Sequence, residues 1–189
     1  MAQKYDITSN VSIGAIKDPR RYAYMIEVNP WAPNTALKAA LLFRGAIIAA
    51  WGYVETVLIE IAIRSSRMDE YCDISEKFPY NADNRLGYLR RVLKVGGPFS
   101  RFRNAGIRFL ERYEETAELR HIMAHGLMEV LGDAQFTYFR FPKGGHIQKC
   151  SRRFSIDELE RIAQEAARLS RLIQRCYYII DHQKLLPPL

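Results

Sequence analysis

Residues 35–64 read TALKAALLFRGAIIAAWGYVETVLIEIAIR, the most apolar stretch of the chain. No proline interrupts it, few polar residues fall on any one face, and Asn34 stands where an N-cap belongs. This predicts a long helix from about Thr35 to Arg64. A helix apolar nearly all round is normally covered on several sides. The stretch also contains Lys38, Arg44, Glu55 and Glu60, and its longest uncharged run is too short to span a bilayer. The expectation is a core helix and no membrane partner.

Upstream, residues 1–33 are mixed in character, with a strand-like run at Tyr22–Val28 and punctuation at Pro19, Pro30 and Pro33. They read as an N-terminal extension to a single domain over 34–189. Downstream, polar sequence runs to Ala82, and NRLGYLRRVLKVGG predicts a shorter helix ended by Gly96 and Gly97. The next helix is expected from Pro98 or Phe99 to Gly126, a glycine suited to a left-handed C-terminal turn. Three β-prone runs follow, Leu127–Leu131, Gln135–Phe141 and Ile147–Phe154, separated by Gly132-Asp133 and Pro142-Lys143-Gly144-Gly145. They predict a hairpin or three-stranded insert at about 127–154. Ser155-Ile156-Asp157-Glu158 has the form of a capping box and opens an amphipathic helix to about His182. The fold class is therefore mainly α: four main helices, of which Thr35–Arg64, the motif helix and the C-terminal helix pack antiparallel, with a small β insert before the last. A chain of 189 residues that is 48% hydrophobic can bury one such core.

Charge points to the class of partner. The 28 Lys and Arg against 21 Asp and Glu give a net charge of +7, which suits a polyanion. The excess is clustered. Arg85, Arg90, Arg91, Lys94, Arg101, Arg103 and Arg108 lie in a run without an acid, and Arg140, Lys143, Lys149, Arg152 and Arg153 form a second group. Each group is either a solvated face or a phosphate-contacting surface; Arg101, Arg103, Arg140, Lys143, Lys149, Arg152 and Arg153 are the candidate RNA contacts. Cys72, Cys150 and Cys176 are odd in number and sit in no ligand motif, and the N-terminus lacks the regions of a signal peptide. The expected location is a reducing cytoplasm.

Chemistry concentrates in Arg120-His121-Ile122-Met123-Ala124-His125. At about 100° per residue, Arg120 falls close to the line of Phe109, Tyr113 and Ala124, where the helix should be apolar. A guanidinium there needs a carboxylate, a phosphate or a solvent-filled cleft. His121 and His125, four residues apart, share a side of the helix on the flank of the stripe that holds Arg120, so all three can face one small volume, and His125 occupies the last turn, where the dipole favours an imidazolium. Glu55 lies amid Trp51, Tyr53, Val54, Val57 and Leu58 and needs a partner of its own: Arg120 is the first choice, His121 the second.

The run RHIMAHG resembles the signature of HEPN-domain proteins, an arginine, a polar residue, three variable residues and a histidine, here Arg120, His121 and His125. An apolar helix with a central Glu before it, and a long helix after it, extend the resemblance over roughly Ala36–His182. Residues 1–33 and the hairpin lie outside it. The resemblance implies a HEPN-like antiparallel bundle and a metal-independent endoribonuclease, of the kind found among toxins and antiviral effectors, working as a homodimer with a composite cleft. It implies that Arg120 holds the scissile phosphate, His125 moves protons as the ribose 2′-hydroxyl attacks, and His121 orients or polarises. No cofactor is implied, and a neutralising antitoxin protein is an expected partner in a toxin. Two alternatives stay open. A non-catalytic member of such a fold would bind RNA or nucleotides, or act as a scaffold. A metal-binding bundle would use His121 and His125, with Glu118-Leu119-Arg120-His121 matching a Glu-x-x-His element, but no second such element exists and Arg120 would repel a cation.

Overall fold

The long apolar stretch forms one uninterrupted helix, α1 (Asn34–Ser65), and the rest of the fold is arranged around it. The structure, a computed structural model, describes residues 34–75, 78–141 and 145–188. The expected extension with its strand at 22–28, and Lys143, lie outside the described residues. After α1 come a short 3-10 turn at Cys72–Ile74, α2 (Ala82–Lys94), a second 3-10 turn at Ser100–Phe102, α3 (Arg103–Glu115) and α4 (Ala117–His125). Strands β1 (Leu127–Leu131), β2 (Asp133–Arg140) and β3 (Gln148–Phe154) then lead into α5 (Ile156–His182).

The last helix packs along the first. On α5 the buried positions are Leu159, Ala163, Ala166, Leu169, Ile173 and Ile180, a helical stripe, and they meet α1 residues such as Ile47, Val54, Leu58 and Ile61 in one core. Each fully buried Leu, Ile or Val in this seam contributes about 1.5–3 kcal/mol. The capping box sets where α5 begins: the Glu158 N–H donates to Ser155 Oγ at 3.1 Å and the Ser155 N–H donates to the Glu158 carboxylate at 2.8 Å. By length and composition alone α1 could cross a membrane, with 39% of its most apolar window buried here. Leu41, Leu42, Ile48 and Tyr53 stand exposed on it.

The insert is a three-stranded antiparallel sheet in the order β1-β2-β3, with Met128 opposite Phe136 and Phe136 opposite Arg152. Phe136 and Tyr138 face the core, while Phe139 and Phe141 on the alternate positions are exposed. The pattern is thus divided: one aromatic face closes the core edge and the other is open.

Two local expectations are corrected. The motif helix is not continuous from residue 98 or 99 to 126 but breaks at Thr116, giving five α-helices among the described residues instead of four. There the Thr116 hydroxyl and N–H both donate to the Tyr113 carbonyl, at 2.6 and 3.2 Å, competing with the helical ladder. Gly126 is not left-handed. Its backbone is extended (φ −70°, ψ 136°), and what demands glycine is space, since a Cβ would lie 2.5 Å from the Ile122 carbonyl oxygen and 3.2 Å from the Phe136 ring.

Candidate functional site

The motif is the last turn and a half of α4, a helix that ends where the sheet begins. Its C-terminal carbonyls would be orphaned without a partner, and α1 supplies one. Arg44 Nε donates to the Met123 carbonyl at 2.8 Å and Nη2 to the Gly126 carbonyl at 3.0 Å, with the guanidinium 5.6 Å from the centre of the Phe136 ring. Burial draws the Arg44 pKa below its ordinary value. A fixed cation at the negative end of the helix thereby anchors the motif to α1 and β2 together.

The two histidines are exposed and face one another, ring centres 5.1 Å apart. They are not equivalent. His121 Nε2 lies 3.2 Å from the Phe139 carbonyl, which can only accept, so that nitrogen carries a proton. Its ring also meets Tyr138 edge-on at 6.2 Å. His125 makes no hydrogen bond among the described residues, so both its nitrogens are open to a ligand. Glu118 reinforces the contact between helix and sheet by accepting from the Tyr138 hydroxyl at 3.2 Å and by pairing with Arg140.

The Arg120 side chain lies against Tyr113. Its guanidinium lies 3.8 Å from the centre of the Tyr113 ring, a cation–π contact, and its Nε is buried without a hydrogen-bond partner. Among the described residues no carboxylate lies within ion-pair distance of it. The expected Glu55–Arg120 pair is therefore corrected: Glu55 is 3.8 Å from Arg85 Nη1 instead. Arg120 is drawn onto the Tyr113 face, and α2 delivers Arg85 to the carboxylate. Arg85, read from sequence as one of an acid-free basic run, is 7% exposed, with Nη2 donating to the Tyr80 carbonyl at 2.8 Å and Nε unpartnered. Tyr113 is buried with its hydroxyl completing no hydrogen bond. Burial raises its pKa; the Arg120 charge opposes that rise and Glu55 adds to it, so these groups share one neighbourhood.

The candidate RNA contacts divide. Lys149 and Arg153 stand opposite Phe139 and Gln135, on the open face of the sheet. Arg152, opposite Phe136, lies on the other face with its guanidinium 4.9 Å from the Phe154 ring centre. Arg140 is held by Glu118, next to the histidines. Arg101 and Arg103 are not brought to the motif. Arg101 bonds to Gln183 past the end of α5, and Arg103 Nε caps α2 through the Leu93 carbonyl at 3.1 Å. That end of the bundle is where Arg64 meets Asp181, twenty positions along α1 from Arg44 or about 30 Å at the helical rise.

The contacts that sequence reading missed are those of Arg44 and Tyr113 with the motif and of Arg85 with Glu55. Arg85 carried one available signal: the spacing of Leu86, Leu89 and Val92 with Arg85 places it at the edge of the buried stripe of α2. Among the described residues no group of three or more His, Cys, Asp or Glu side chains converges as metal ligands would. No family model, curated protein or solved structure matches the chain.

Proposed function

We propose that this protein is a metal-independent endoribonuclease of HEPN type, working as a two-fold dimer. The observation that carries the reading is the state of the motif: Arg120 has no carboxylate to satisfy it, and the next residue opens an exposed pair of histidines of which one is anchored and one is free. A guanidinium without an acid is suited to a phosphate. His125, its ring unbonded at the helix end, is suited to proton transfer, and His121, fixed by the Phe139 carbonyl, to orienting the reacting group. RNA brings its own nucleophile, so positioning, charge neutralisation and proton transfer are all that the side chains must supply. Lys149 and Arg153 on the open sheet face, with exposed Phe139 and Phe141 for base stacking, would hold the flanking strand.

The dimer reading has its own support. Leu41, Leu42 and Ile48 are exposed on the part of α1 that carries Arg44, so they flank the motif, and a second copy seated there would bring two motifs together. In a toxin the same surface would be what a neutralising protein covers.

Incubation of the purified protein with assorted RNAs in excess chelator tests the activity. Cleavage should yield 2′,3′-cyclic phosphate ends, and His125→Ala and Arg120→Ala should each abolish it while leaving the protein folded. Arg120→Ala should also weaken RNA binding, whereas His125→Ala should largely retain it. Cleavage that requires a divalent ion, or an active His125→Ala variant, overturns the assignment. RNA bound but never cut would make the protein a binding module.

A further inference from the structure

The buried side-chain polar atoms left without a partner among the described residues are Trp51 Nε1, Arg85 Nε, Tyr113 Oη and Arg120 Nε. Every one of them can donate a hydrogen bond, and three can do nothing else. Trp51 and Glu55 are one turn apart on α1, and Tyr113 feels the charges of Arg120, Glu55 and Arg85. Buried polar groups are ordinarily satisfied, so the unpartnered Nε atoms of Arg85 and of Arg120, the latter stacked 3.8 Å over the Tyr113 ring, call for an acceptor. The one acid nearby does not fill that role. At 3.8 Å the Glu55 carboxylate attracts Arg85 without hydrogen bonding to it, and its side chain is 48% exposed while that of Arg85 is 9% exposed. Arg85 thus keeps one loosely held negative charge, and Arg120 has none within ion-pair distance among the described residues. Guanidiniums with unpartnered nitrogens repel a cation and suit an oxygen-rich anion.

We propose that Arg85 is a second phosphate-binding residue, which receives the phosphate group next to the one that Arg120 holds, and that Glu55 is the counter-ion this phosphate displaces. The proposal rests on the ribonuclease reading for the identity of the ligand, an RNA strand presenting consecutive phosphates. It makes Glu55 a placeholder whose negative charge competes with substrate.

The probes are 2′-O-methyl dinucleotides, which lack the attacking hydroxyl, bearing a terminal phosphate at the 5′ end, at the 3′ end or at neither. Calorimetric titration of the full-length protein in chelator should find one phosphorylated form bound roughly tenfold tighter than the unphosphorylated one, the worth of one charge-assisted contact. Arg85→Gln should erase that advantage and leave binding of the unphosphorylated form unchanged. Glu55→Gln should enlarge it, since the competitor for Arg85 is gone; this variant decides the matter if Arg85→Gln fails to fold. Equal affinity for all three probes in the wild type, a parallel loss of all three in Arg85→Gln, or weaker binding of the phosphorylated probe in Glu55→Gln would overturn the proposal. The two readings fail separately. RNA cleavage with no preference for the terminal phosphate removes the second phosphate site alone, and an Arg85-dependent preference in a protein that cuts no RNA removes the ribonuclease alone.

Discussion

Arg44 and Gly126 show how single residues hold the motif in place. Replacing Arg44 by Met keeps much of the apolar stem but removes two charge-assisted hydrogen bonds to the end of α4. Each such bond is worth about 1.5–3 kcal/mol, so denaturant titration should show a loss of at least that size. RNA cleavage should fall with it, as His125 lies between the two anchored carbonyls. Gly126→Ala should also destabilise, because its Cβ would press on the Ile122 carbonyl, which cannot swing aside as a side chain can. The sequence made the motif legible because Arg120, His121 and His125 are local, and the face each occupies follows from helical geometry. It did not reveal which acid meets which base. Glu55 chose Arg85 over Arg120, and that choice depends on the aromatic face of Tyr113 and on the path of α2, neither of which is local to either charge.

At the scale of elements, the ends of helices decide more than their middles. The capping box fixed the start of α5, and the apolar run fixed α1, because both signals are carried by neighbouring residues. The break at Thr116 was hidden, since a threonine bonded to the Tyr113 carbonyl and a threonine inside a helix look alike in sequence. At the far end, Arg64 of α1 ties down α5 and the chain beyond it, donating to Asp181 at 3.0 Å, to the Tyr177 hydroxyl at 2.8 Å and to the Pro187 carbonyl at 2.6 Å. Tyr177 in turn donates to Glu60. Burial first, then the bond to the Glu60 carboxylate, pushes the Tyr177 pKa up to about 12. The unfolded tyrosine ionises near the ordinary value of about 10, so between those values the unfolded chain has given up a proton that the folded one keeps. Stability should therefore fall as pH rises from about 10 to about 12. Thermal melts of Tyr177→Phe should lack that part of the decline, whereas a wild-type profile matched by the variant would show the network to be idle.

For the whole molecule, the open face of α1 is the feature on which the proposed assembly turns. Gly45 and Gly52 lie on this helix with nothing within 4 Å of where a Cβ would be, although a helical glycine costs about 0.5–1 kcal/mol relative to alanine. Within one chain, then, Gly45→Ala and Gly52→Ala should stabilise. In the proposed dimer the same added methyls would hold two α1 helices apart, so a gain in monomer stability should accompany weaker self-association. Leu42, 69% exposed, gives the sharper test. Exposed substitutions usually move stability by no more than about 0.5 kcal/mol, so Leu42→Glu should leave the melting temperature of a monomer nearly unchanged. Across a two-fold interface it would bury two like charges against apolar surface and split the dimer. Light scattering should then find the wild type dimeric at micromolar concentration and the variant monomeric. A composite site requires RNA cleavage to be lost in step with the dimer, despite an intact motif in every chain. If the variant stays folded, becomes monomeric and still cuts RNA, each chain carries a complete site; if the wild type is itself a monomer at micromolar concentration, the dimer reading falls.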